Sequence, residues 1–118
     1  MNLEEIRLYC LNKKGVTEDF PFDQETLVFK VMGKMFLLTN INEVDISVNL
    51  KCDPDWAIEL RERYHSVFPG YHMNKKMWNT VQFSGEFSKE DFFKMIDHSY
   101  DEVVKKMPKK QQQLLKEL

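Results

Sequence analysis

The spacing of apolar and polar residues changes several times along this chain, and each change marks an element. Leu3, Ile6 and Cys10 recur at helical spacing behind Asn2 and Glu5, a plausible cap and its reciprocal partner, so a helix is expected up to Gly15. Phe20-Pro21-Phe22 shows no helical period and is expected to plug one edge of the core. Leu27 to Met32 and Met35 to Thr39 are β-rich runs separated by Gly33-Lys34, and a glycine at the first central position predicts a type II′ hairpin turn. Val44, Ile46, Val48 and Leu50 then alternate with Asp45, Ser47, Asn49 and Lys51. A strict period of two places the polar groups on one wet face, which antiparallel sheets allow.

Asp53-Pro54 predicts the start of a second helix, with a capping carboxylate and a proline at the first position. Its buried side is Trp56, Ala57, Leu60 and Tyr64, while Glu59 and Arg63 are spaced for an exposed pair. A strand is expected from Trp78 to Phe83 after the Phe68-Pro69-Gly70 loop. Ser88 with Asp91 caps a third helix whose inner stripe is Phe92, Ile96, Tyr100, Val103 and Met107. Pro108 ends it, and a short last helix is expected to dock through Leu114, Leu115 and Leu118. The resulting order, α-β-β-β-α-β-β-α-α, with a one-sided sheet, predicts an α+β two-layer sandwich whose antiparallel sheet is covered by helices on one face.

A length of 118 residues with 42% hydrophobic content fits one domain, 1–118. No apolar run approaches the ~20 residues of a membrane span, and the N-terminus lacks the order of a signal peptide, so a cytoplasmic protein is expected. Cys10 and Cys52 form no C-x-x-C or zinc pattern and are read as free thiols. Cys52 precedes a helix N-terminus, but no base is identifiable beside it. His65 and His72 match no metal spacing, and His98 with Asp101 or Glu102 reads as a solvated face carrying Asp101–Lys105 and Glu102–Lys106 pairs. No catalytic residue, cofactor or metal is expected.

The net charge of −2 argues against indiscriminate coating of nucleic acid, but the charge is uneven. The first 27 residues are acidic; Arg61, Arg63, Lys75 and Lys76, and the tail beyond Val103, are basic. Tyr71 to Thr80 packs Lys75, Lys76, Asn74, Asn79, a histidine and two large aromatics into ten residues. Cations beside an aromatic ring can hold phosphates while stacking on bases. Strand parity puts Trp78, Thr80 and Gln82 opposite Val81 and Phe83, so Trp78 points to the wet side unless a bulge intervenes.

Phe20-Pro21-Phe22, Phe29-Lys30-Val31 with Gly33-Lys34-Met35-Phe36, Leu50-Lys51-Cys52-Asp53-Pro54, Gly70 to Lys75 with Trp78-Asn79-Thr80, and Asp97-His98-Ser99-Tyr100 together resemble the MmcQ/YjbR family. The resemblance spans nearly the whole chain, and its most specific part is the His72-Asn74-Lys75-Trp78 block. It implies a two-layer fold and a DNA-binding role with a double-wing arrangement of hairpins. Met77 departs from the family pattern, in which histidine often precedes the tryptophan.

Three readings stay open. In the first, the chain binds DNA or another nucleic acid through Lys51, Asn74, Lys75, Lys76, Trp78 and Asn79, the lysines on phosphates, the amides hydrogen-bonding and Trp78 stacking. In the second, the exposed sheet face docks a protein partner. In the third, the aromatics belong to the core and the lysines only aid solubility. No oligomeric state follows from the sequence.

Overall fold

The computed structural model describes residues 1–70 and 73–118; Tyr71 and His72 of the basic-aromatic block lie outside them. The elements are α1 (Leu3–Leu11), β1 (Val16–Asp19), β2 (Thr26–Val31), β3 (Lys34–Asn40), β4 (Ser47–Lys51), α2 (Pro54–Arg63), β5 (Val67–Pro69), β6 (Trp78–Gln82), α3 (Lys89–Lys105) and α4 (Lys109–Lys116). The strands form one antiparallel sheet in the order β1-β2-β3-β4-β6-β5. The helices pack on one face, and a single apolar cluster joins Ile6 and Cys10 of α1, Ala57 and Leu60 of α2, Phe92 and Ile96 of α3 and Leu115 of α4 to that face. This is the expected two-layer α+β architecture. The three expected caps form: Asn2, Asp53 and Ser88 accept from backbone N–H groups in the first turns of α1, α2 and α3.

Pleating sorts the sheet into rows. Phe29, Leu37, Leu50 and Asn79 lie side by side facing the helices, and the adjacent row Val28, Leu38, Asn49, Thr80 and Phe68 faces the other way. From β2 to β6 the helix-side row is apolar except at Asn79, and on the edge strand β1 it ends at Glu18.

Beyond Leu37 and Leu50 the paired register of β3 and β4 ends, and α3 supplies the missing hydrogen bonds. The fully buried Ser99 hydroxyl accepts from the Lys51 N–H at 2.8 Å and donates to the Phe36 carbonyl at 2.5 Å. One residue earlier, His98 Nε2 accepts from the Asp53 N–H at 3.0 Å, and Cys52 N–H donates to the Met77 carbonyl at 2.8 Å. Successive amides of the β4–α2 connection therefore go to α3, to the connection entering β6, and again to α3. Ser99 lies between Ile96 and Val103 on the inner stripe, so its hydroxyl is buried by position and needs these partners.

Several expectations are corrected. The hairpin turn is Met32-Gly33, with Val31 opposite Lys34, and both central residues have positive φ, 50° and 80°. That is a type I′ turn, with glycine second; Met32 accepts the left-handed conformation while its side chain packs against the core. Phe20 and Phe22 are exposed and do not plug the core. Val44 precedes β4 and is 99% exposed, so the alternation becomes structural only from Ile46 onward. Glu102 is buried and pairs with Lys105, not Lys106. His98 is half-buried rather than solvated. In α4 only Leu115 is buried, and Leu114 and Leu118 stay exposed. The sequence pattern also passed over β1, only four residues long, and set no bounds for the first of the two strands expected after α2, the three-residue β5.

Removing the Ser99 hydroxyl leaves a buried N–H and a buried C=O without partners. Ser99→Ala is expected to lower unfolding stability by about 1–3 kcal/mol, measured by urea titration, with Ser99→Thr retaining more of it than Ala. His98 gives a pH signature: burial, the largest influence, holds the imidazole below its ordinary value of 6.5, and Glu102 and Asp53 oppose this. The unfolded chain binds the proton more readily, so this contribution is complete above the ordinary value and is lost as pH falls through the folded value. Stability should decline below about pH 6.5, and His98→Gln should flatten that slope; an unchanged slope would remove the histidine from the account.

Candidate nucleic-acid interface

The connection from β5 to β6 is held from beneath. Arg61 of α2 donates through Nε to Asn79 Oδ1 at 2.7 Å and through Nη2 to the Lys75 carbonyl at 2.6 Å, and Asn79 Nδ2 donates to the Ala57 carbonyl at 3.3 Å. Asn79 is 1% exposed, so its amide anchors the loop and cannot reach a ligand, a correction to its expected contact role. Arg61, in the sequence one member of a basic segment, is the long-range partner. Its signal was position: it follows Leu60 and lies four residues after Ala57, next to the buried side of α2.

Above this anchor the remaining residues are displayed. Asn74 is exposed, and its Oδ1 accepts from the Lys76 N–H at 3.0 Å, which fixes the turn and leaves its Nδ2 pointing to no partner among the described residues. Lys75 and Lys76 are exposed. The β4–β6 register from Ser47–Gln82 to Lys51–Trp78 is unbroken, and Asn79 and Val81 face the helices, so Trp78 falls on the open face and is half-buried. Gly70 lies against it: a Cβ there would come within 2.8 Å of Trp78 Cβ, and the Gly70 N–H donates to the Trp78 carbonyl at 2.8 Å. Only glycine admits this approach.

Lys51 sits opposite Trp78 at the end of β4. Burial, followed by the neighbouring Lys106 and, more weakly, Lys34, holds its ammonium below the ordinary lysine range, with Glu102 acting in the opposite sense. Lysines from the start of β3 and the end of α3 thus approach Lys51 at the end of β4, with Glu102 among them. They do so at the end of the sheet that also carries the β5–β6 connection and α4, where Lys14 Nζ reaches the Lys116 carbonyl at 3.3 Å.

Ion pairing divides the lysines into two groups, and Lys105, beside Lys106 at the end of α3, belongs to the paired one. Lys13, Lys30, Lys89, Lys94 and Lys105 each have a carboxylate partner, Asp97, Asp19, Glu5, Asp91 and Glu102 in turn. Lys34, Lys51, Lys75, Lys76 and Lys106, and the α4 lysines, form no ion pair among the described residues. The opposite end carries Asp23, Glu43, Asp45 and Glu86 on its loops.

Two further features bear on chemistry. The open face of the sheet forms a groove of about 690 Å³, floored by Leu38, Asn49 and Thr80, with Phe22 and Phe68 at its sides. Burial pushes the Cys52 thiol up to about 12, so the start of α2 does not produce a thiolate there. Among the described residues no group of three or more His, Cys, Asp or Glu is placed to hold a metal ion, and no helix is long and apolar enough to cross a membrane.

Known proteins are similar to this chain in sequence and in fold. YjbR of Escherichia coli (strain K12) is 30% identical over 118 residues, covering all of both chains, and YbdF of Escherichia coli O157:H7 is 38% identical over 93 residues, covering 79% of this chain and 76% of its own. The crystal structure of Deinococcus radiodurans DR2400, of the DUF419 domain, superimposes with a TM-score of 0.91 at 38% identity, covering 97% of this chain and 87% of that one. A Pseudomonas syringae structure, target PsR293, matches with a TM-score of 0.70 at 26% identity over 84% of this chain and 96% of its own. The family model for YjbR matches residues 11–102, and the chain belongs to the YjbR family.

Proposed function

We propose that this protein binds nucleic acid, by contact rather than catalysis, through the lysine-rich end of its sheet, and that it does so in the cytoplasm. The observation that carries this is the segregation of unpaired lysines. Lys13, Lys30, Lys89, Lys94 and Lys105 are paired with carboxylates, whereas Lys51 has Lys106 and, more weakly, Lys34 as like-charged neighbours with Glu102 opposing them, and Lys75 and Lys76 project from an anchored turn. A polyanion relieves that repulsion and exchanges its counterions for the ammonium groups. The acidic opposite end explains how such a face coexists with a net charge of −2.

Within this reading Lys75 and Lys76 contact phosphates, Asn74 donates through Nδ2, and Trp78 offers the exposed part of its indole to a base. Lys34, Lys51 and Lys106 extend the phosphate track. Asn79 and Arg61 set the loop that presents the others. The double-wing DNA-binding description of MmcQ/YjbR-like proteins agrees with this reading.

Fluorescence anisotropy with a labelled duplex and with single-stranded DNA and RNA tests it. Affinity should fall linearly on a log-log salt plot, and Lys75→Glu with Lys76→Glu should lower the slope for duplex by about 2, from ~0.9 per phosphate contact. Lys89→Glu, which removes an already paired lysine, should leave affinity nearly unchanged. Absence of saturable binding to all three probes at low salt would overturn the proposal.

A further inference from the structure

The groove on the open face includes none of the lysines invoked above, and its chemistry is different. Among the described residues its ionisable lining is Asp23 and Glu43, both acidic. Hydrogen bonds from the Thr26 and Glu25 N–H groups, at 2.7 and 2.8 Å, hold the Asp23 carboxyl below the usual carboxylate range and so keep it charged. Phosphate is repelled here.

The floor combines Leu38 with uncharged polar groups. Thr80 Oγ1 donates to Asn49 Oδ1 at 2.5 Å, which orients that amide and leaves its Nδ2 as a donor, while Gln82 is exposed beside them. The side walls are apolar: Phe22 is 64% exposed on one side, and Phe68, 36% exposed, stands with Met73 on the other. The groove crosses β2, β3, β4, β6 and β5, a width of about 19 Å at ~4.8 Å between strands. Apolar surface continues past its rim, where Ile41 N–H donates to the Glu25 carbonyl at 2.9 Å and brings the fully exposed Val44 loop beside the Phe22 loop.

We infer that this groove binds a short extended peptide segment of a protein partner, one carrying apolar side chains and at least one arginine or lysine. The side-chain amides of Asn49 and Gln82 match the alternating N–H and C=O groups of an extended main chain. The phenylalanine and methionine walls receive apolar side chains, methionine adapting to several shapes. Asp23 and Glu43 receive the cation. A width of about 19 Å corresponds to ~6 extended residues at ~3.3 Å each. The surface beyond the rim, Ile41 and Val44, exceeds what a small molecule occupying the groove would cover.

The experiment is a selection of random octapeptides displayed on phage against the immobilised full chain, followed by synthesis of the enriched peptide and amide-shift mapping by NMR. Enrichment of peptides with apolar residues and an arginine or lysine is expected, with shifts at Leu38, Asn49, Thr80 and Gln82. Asp23→Lys with Glu43→Lys should weaken the selected peptide by about tenfold or more, and enrich acidic peptides instead. Phe22→Glu should also weaken it. Lys75→Glu with Lys76→Glu should leave it unchanged, so this proposal and the nucleic-acid reading fail separately. A selection without a shared motif, shifts confined to other surfaces, or binding that survives reversal of both carboxylates would overturn the inference.

Discussion

The contact on which the rest of this fold depends is the one between α3 and the end of β4. Where β3 and β4 part, two backbone groups lose their ladder partners in the protein interior, and the Ser99 hydroxyl takes both. A hydroxyl suits this place because it donates and accepts at once, which no apolar side chain on the stripe could do. His98 then fixes the next free amide, at Asp53, immediately before α2 begins. The direction of α2 follows, and α2 carries Arg61, which holds the loop bearing Lys75. A hydroxyl in the core thus determines, through one helix and one guanidinium, where the basic turn stands.

This chain of contacts shows why motifs far apart in sequence form one signature. Leu50-Lys51-Cys52-Asp53-Pro54 and Asp97-His98-Ser99-Tyr100 are two halves of a single contact, and Trp78-Asn79-Thr80 joins it through the Cys52 to Met77 hydrogen bond. Residues that look like a binding block therefore divide in two by strand parity. Asn79 points to the helices and serves the fold; Trp78 and Thr80, on either side of it, point to the open face.

The legible part of the sequence was whatever local spacing controls. Helix caps, the apolar stripe of α3 and the β2–β3 hairpin depend on neighbours within a few residues, and they stand where periodicity put them. What depended on distant partners was hidden. β1 is too short to show a period and exists because β2 offers it an edge, with Arg7 of α1 gripping Glu18 at 2.6 Å. His98 resembled a solvated residue because its partner lies 45 positions earlier. Asn79 resembled a ligand contact because Arg61 is 18 residues away. The hairpin was legible as a hairpin, yet its turn type was not, because the register that places Met32 first is set across the whole β2–β3 pair.

Placing the two candidate surfaces on one small sheet imposes a constraint of its own. The lysines occupy the strand ends and loops at one end, while the groove occupies the middle of the open face and closes at its acidic rim. Between the lysines and the acidic rim lie the uncharged side chains of the groove floor, Asn49 and Thr80, so neither field is neutralised by direct pairing across the face. With roughly 8–10 Å of screening length at physiological salt, a phosphate at Lys75 and a cationic side chain at Asp23 would influence each other weakly. The sheet can therefore hold opposite charge preferences at once, and the amides between them act as an insulating strip whose replacement by charged residues would couple the two.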